Sequence, residues 1–200
     1  MAVTKNFPRE TIMDAISAGL GLFGENRVQE AEKKFTGFSP MPEVHLIGHL
    51  QRNKAKAAAG LFSCVQSIDK VETAQALDAR CNESGRMMDI LLELNTSGEE
   101  SKSGFRSRDG LLAGLDIIRR LPHVRVRGLM TVGPLDADEV GIRSSFSLLR
   151  RLFQDIRATE APAGFEVLSM GMSGDFAIAI EEGSTLVRIG TALFGARVDR

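Results

Sequence analysis

Residues 165–195 read FEVLSMGMSGDFAIAIEEGSTLVRIGTALFG, and the fold turns on how this stretch is parsed. Two apolar runs, 166–170 and 185–189, give way at their C-terminal ends to small residues. Gly171, Met172, Ser173 and Gly174 follow the first, and Gly190 and Thr191 follow the second. A short helical pattern, from about 173 to 182, lies between them. Strand, glycine break, helix, strand is the order expected of a parallel sheet. Small residues at such junctions let backbone N–H groups converge, which suits a bound phosphate. Ordinary strand-to-helix turns have the same composition, so the glycines alone leave both readings open.

Working back toward the N-terminus, six earlier apolar runs repeat the pattern, at 2–4, 22–23, 44–50, 61–68, 87–95 and 124–132. Helical spacing follows each. Ile12, Ala15 and Ile16 share a face after Pro8, with Gly19 at the end, and Val28, Ala31 and Phe35 share the next. Asp69 and Glu72 form a capping pattern before Val71, Ala74, Leu77 and Cys81. Leu111, Leu112, Leu115 and Ile118 mark another helix, and Ile142, Phe146, Leu149, Phe153 and Ile156 the longest. Eight strands alternating with helices predict an α/β fold, a (β/α)8 TIM barrel, as one domain over residues 1–200. A length of 200 residues with 43% hydrophobic content suits one sizeable core. The usual helix ahead of the first strand is missing, and only 196–200 follow Gly195. The seam between strands eight and one is therefore expected to be under-covered, filled by a partner or by a longer natural chain.

A formal net charge of −1 gives no reason to expect nucleic acid or an anionic membrane as partner. No apolar run reaches a membrane span, and the N-terminus lacks a secretory signal. Cys64 and Cys81 read as reduced thiols of a cytoplasmic protein. His45 and His49 are four apart, but on a strand that spacing makes no metal pair, so no metal is expected. Lys54 and Lys56 read as a solvated helix face.

In this fold the chemistry sits where strands end. Lys5 directly follows the first strand. Partial desolvation there lowers a lysine pKa and frees a neutral amine to attack an aldehyde, whereas a solvated surface position leaves it inert. Arg188 lies among Leu186, Val187 and Ile189, where a guanidinium needs either a neighbouring carboxylate or a ligand atom. Amine–aldehyde chemistry, a phosphate cradle and an inward arginine together suggest pyridoxal 5′-phosphate.

The succession AVTKNFP, FGENRVQEA, HLIGHLQRNKAK, SIDKVETAQALD, ELNTSGEESKSGF, VRGLMTVGPL and LSMGMSGDFAIAIEEGSTLVRIGTALFG closely resembles the pyridoxal phosphate homeostasis proteins. These are single-domain relatives of the alanine racemase barrel, and the resemblance runs from residue 2 to 197. It implies that Lys5 forms the internal aldimine. Ser173 and the backbone from Met170 to Ser173, with Gly190 and Thr191, would hold the phosphate, and Arg188 would face the pyridine nitrogen. Asn26 would contact the pocket wall, with Lys102 a further lysine nearby. Arg27 departs from the family, standing where relatives often have an aromatic residue. The implied role is to carry, buffer or deliver the cofactor, possible recipients being apo forms of pyridoxal phosphate enzymes, with the protein a monomer and no turnover reaction. A cation at the pyridine nitrogen makes the cofactor a weaker electron sink. The alternative, an amino-acid racemase of this barrel type, uses a tyrosine from a second domain as its opposite base. This sequence contains no tyrosine.

Overall fold

The computed structural model describes residues 1–159 and 161–195. Seven strands form one sheet in which spatial order equals chain order. They are β1 (Ala2–Val3), β2 (Leu22–Glu25), β3 (Glu43–Leu46), β4 (Cys64–Ile68), β5 (Met88–Glu93), β6 (Val124–Met130) and β7 (Val167–Ser169). Every neighbouring pair is parallel. Seven of the expected strands are present, several trimmed at their ends.

The expected eighth strand, 185–189, forms no ladder. Leu186 makes an isolated parallel bridge to Ser169, and Ile189 makes another to Ala2. On one side Met170 N–H donates to Leu186 O (3.2 Å) and Arg188 N–H to Gly171 O (2.9 Å). On the other, Val3 N–H donates to Ile189 O (2.8 Å) and Ile189 N–H to Met1 O (3.0 Å). Leu186 and Arg188 bond to one edge and Ile189 to the other, so the segment bridges each edge at a single residue pair.

The helices are α1 (Arg9–Ser17), α2 (Val28–Phe35), α3 (Ala55–Leu61), α4 (Val71–Ser84), α5 (Arg108–Ile118), α6 (Glu139–Thr159), α7 (Phe176–Glu181) and α8 (Thr191–Phe194). Their apolar stripes build the core with the strands: Ile12, Phe35, Leu77, Leu115, Phe146 and Leu149 are fully buried. One cap differs from the sequence reading. Asp69 does not cap α4: Lys70 takes the N-cap position, and the Asp69 carboxylate meets His49 Nδ1 at 3.1 Å. Ser107 caps α5, its Oγ accepting from Gly110 N–H. At the seam, where the last apolar run was expected to lead into no helix, α8 adds a single turn whose Phe194 packs on Phe7, centroids 5.2 Å apart. Residues 196–200 lie outside the described residues.

One glycine is dictated by geometry. The register of β5 on β6 shifts between Ile90 and Leu91, opposite Gly128, which has φ +157°. A Cβ there would lie 1.8 Å from Val167 O on β7. Gly128→Ala is therefore expected to destabilise the protein by roughly 3 kcal/mol, read as a lower urea midpoint. A midpoint equal to that of the unsubstituted protein would contradict this packing.

Candidate functional site

The strands and the residues just beyond them carry polar side chains into the buried interior, an arrangement that demands internal partners. Thr4, Glu25, Gln66, Ser67, Glu93, Thr131, Ser169 and Arg188 are all buried. Arg188 donates through Nη1 to Ser169 Oγ (2.7 Å) and through Nη2 to Thr131 O (2.7 Å). Its contact partners are thus neutral oxygens. Burial pulls its pKa down to about 10, with Glu93 and Asp175 opposing, so the guanidinium stays charged at neutral pH. Ser169 Oγ donates to Gln66 Oε1 (2.7 Å), and Gln66 Nε2 meets His45 Nδ1 (2.8 Å). An amide nitrogen only donates, so Nδ1 accepts and Nε2 carries the proton toward Glu43 Oε1, 2.9 Å away. Burial lowers the His45 pKa, consistent with that neutral ring. His45 and His49 have separate partners, and no cluster of three metal-ligating side chains exists among the described residues.

Beside Arg188, at the C-terminal ends of the strands, lies a pocket of about 220 Å³. Lys5, Ser173, Gly174, Arg188, Gly190 and Thr191 line it, with apolar walls from Phe7, Ile47 and Met172. Lys5 comes two residues after β1 and is half-buried. The junctions after the two apolar runs meet here. Ser173 Oγ accepts from Gly190 N–H and Ala192 N–H, each at 3.2 Å, and so ties them together. The N–H groups of Ser173, Gly174 and Thr191 donate to no acceptor among the described residues. Gly171 turns the chain into this cradle at φ +96°, and a Cβ would sit 2.5 Å from that of Ala179 on α7. The donors are individual N–H groups; α8, with four residues, is too short to contribute an aligned dipole.

Of the seven residues singled out in the sequence, Lys5, Ser173, Arg188, Gly190 and Thr191 share this pocket. Asn26 and Met170 are not among its lining. Asn26 follows β2, its carbonyl 2.3 Å from where a Cβ on Gly48 would stand. Met170 is fully buried, its carbonyl accepting from Ser184 Oγ at 2.8 Å. Met172 contributes its side chain to the apolar wall of the pocket. Lys102 lies outside the lining and donates to Glu99 Oε1 and Gly133 O, both at 2.7 Å. Asp175 was not singled out; its Oδ1 accepts from Met172 N–H at 2.5 Å and braces the turn. Its place at the head of a helical pattern was the available signal.

The model of the alanine racemase N-terminal domain matches residues 1–198. The pyridoxal phosphate homeostasis protein of Aquifex aeolicus is 39% identical, over 98% of this chain and 86% of its own length. That of Pseudomonas aeruginosa is 40% identical, over 98% and 84%. The chain belongs to the pyridoxal phosphate homeostasis protein family. Among solved structures, PipY of Synechococcus elongatus with PLP bound superposes with a TM-score of 0.89 at 35% identity, covering 98% of this chain and 91% of PipY. Alanine racemase of Clostridium difficile shares the fold, with a TM-score of 0.81 at 12% identity, over 98% of this chain and 54% of the racemase.

Within this homeostasis-protein scaffold, Glu93 is the acidic counterpart of Arg188. Burial raises its pKa from 4.5 to about 7, with Asp69 adding to the rise and Arg188 opposing it. A raised carboxylate favours the folded state while protonated. Its contribution is full below pH 4.5 and is lost as pH rises through about 7. Glu93→Gln keeps the neutral shape at every pH. It is expected to exceed the parent protein in stability by roughly 3 kcal/mol at pH 8 and to match it at pH 4. Urea unfolding at both pH values checks this, and a constant difference across the range would contradict it.

Proposed function

We propose that the pocket between Lys5 and Arg188 binds pyridoxal 5′-phosphate and that the protein carries, buffers or delivers this cofactor without turning over a substrate. The observation that carries the reading is the meeting of one lysine, in a single small pocket, with N–H groups that have no acceptor among the described residues. The N–H groups of Ser173, Gly174 and Thr191 suit a phosphate, which accepts at several oxygens. A cofactor bound there would supply an aldehyde, and Lys5 would supply the amine for its attachment. Arg188, held by Ser169 and Thr131, presents a fixed cation and no proton acceptor to the ring edge, which opposes strong electron withdrawal. A racemase of this barrel type needs a second, tyrosine base, and the sequence holds no tyrosine. The curated relatives are named for homeostasis.

On this reading the segment 185–189 acts as the eighth strand of a closed barrel, its paired bridges to β7 and β1 supporting closure. The protein is then a cytoplasmic, monomeric carrier whose recipients are apo forms of pyridoxal phosphate enzymes. Titration with pyridoxal 5′-phosphate tests the binding. A visible band distinct from that of the free cofactor should saturate at one equivalent. A spectrum equal to the sum of protein and free cofactor would overturn the proposal. Incubation of the loaded protein with D- or L-amino acids should give no sustained racemisation above the free-cofactor background. Steady turnover would favour an enzyme instead.

A further inference from the structure

Lys34 lies on the inner face of α2 and is almost wholly buried, with its Nζ saturated by three acceptors. These are Glu25 Oε1 at 2.9 Å, Glu30 Oε1 at 2.6 Å and Thr4 O at 2.6 Å. The same two carboxylates grip the residues on either side of Lys5. Thr4 Oγ1 donates to Glu25 Oε1 at 2.7 Å, and Asn6 N–H donates to Glu30 Oε1 at 2.5 Å. Asn6 is held at φ +65°, in the left-handed region, where a non-glycine residue needs local support. Arg9 Nη1 fastens the end of α2 to the start of α1 through Lys34 O (2.6 Å) and Thr36 O (2.7 Å).

Burying the Glu25 carboxylate with the Lys34 ammonium is poor economy if stability is the sole purpose, since desolvation offsets most of the attraction. The arrangement even leaves Glu25 Oε2 buried without a partner among the described residues, and burial raises the Glu25 pKa. What the cluster does achieve is local. It pins the backbone immediately before and immediately after the lysine that lines the pocket.

We propose that Lys34, acting through Glu25 and Glu30, is the positioning residue that fixes Lys5 for covalent attachment of the cofactor. This rests on the function proposed above. The clamp bonds to Thr4 and Asn6 and makes no bond to Ser173, Gly174, Gly190 or Thr191 among the described residues. Loosening it should slow the covalent step and spare non-covalent binding, because small misplacements of a reacting group have large effects on rate.

The test compares Lys34→Met, Glu30→Ala and Glu30→Gln with the parent protein. Two probes are used: pyridoxal 5′-phosphate, trapped by borohydride at timed intervals, and pyridoxine 5′-phosphate, which has the ring and phosphate but no aldehyde. Lys34→Met and Glu30→Ala should form the trapped adduct about tenfold more slowly or worse. Their affinity for pyridoxine 5′-phosphate should stay within about threefold of the parent's. Glu30→Gln, which keeps an oxygen for Asn6 N–H, should restore most of the rate. Should Lys34→Met fail to fold, Glu30→Ala carries the comparison, since Glu30 is partly exposed. Parent-like trapping rates in Glu30→Ala, or equal losses of rate and of pyridoxine 5′-phosphate affinity, would overturn the clamp. A parent protein that traps no cofactor at Lys5 would instead overturn the function on which the clamp rests.

Discussion

Lys5→Ala is expected to remove the visible absorption of the bound cofactor altogether. Lys5 carries the one amine among the residues that line the pocket; the other polar groups there are Arg188, the hydroxyls of Ser173 and Thr191, and backbone N–H groups. A guanidinium stays protonated and a hydroxyl forms no stable imine, so neither substitutes for the amine. The donors proposed for the phosphate are backbone N–H groups of Ser173, Gly174 and Thr191, so affinity for pyridoxine 5′-phosphate should survive within severalfold. Thermal unfolding should move little, because Lys5 is half-buried. A retained visible band would mean that another lysine attaches the cofactor. Lys102, joined to Glu99 and Gly133, is the first alternative to check.

Arg188→Glu should have the largest effect on stability, and that effect should depend on pH. The substitution removes the donor to Thr131 O and Ser169 Oγ and sets a second carboxyl in the field of Glu93. Glu93 already titrates at about 7 with the guanidinium helping its ionisation. Without that cation, and with a like charge added, both carboxyls resist ionising, so their folded-state pKa values rise. A raised carboxylate loses its contribution as pH increases. The variant is therefore expected to be less stable than the parent by roughly 3 kcal/mol or more at pH 8, with a smaller deficit at pH 5. Cofactor binding should weaken and its spectrum shift, since the pocket wall changes from cationic to neutral or anionic. Equal destabilisation at pH 5 and pH 8 would contradict the proximity of the two groups.

The strands were legible because each buried strand of a parallel sheet is a continuous apolar run that stops at a small or polar residue. Residues 44–50 were read as one strand, yet β3 ends at Leu46 because Gly48 must pass against the Asn26 backbone. That approach joins positions 22 apart and leaves no mark in the local pattern. Asp69 has the composition of a cap, but Lys70 takes that position and the Asp69 carboxylate meets His49, from the loop after β3. The convergence of Lys5 with Ser173, Gly190 and Thr191 followed from topology once strand ends were placed on one rim. What held Arg188 did not follow, since Ser169 and Thr131 reach it only across neighbouring strands. Lys34 shows the opposite failure. In a KK doublet it looks like solvent-facing charge, yet it lies three residues after buried Ala31 and so falls on the apolar stripe. Helical periodicity, applied to the charged residues as well as the apolar ones, would have marked it.

The most direct measurement is borohydride reduction of the cofactor-loaded protein followed by peptide mapping of the modified residue. Modification at Lys5 alone, at one equivalent per chain, is the predicted result. A label on Lys102 or any other lysine, or no label at all, would contradict it.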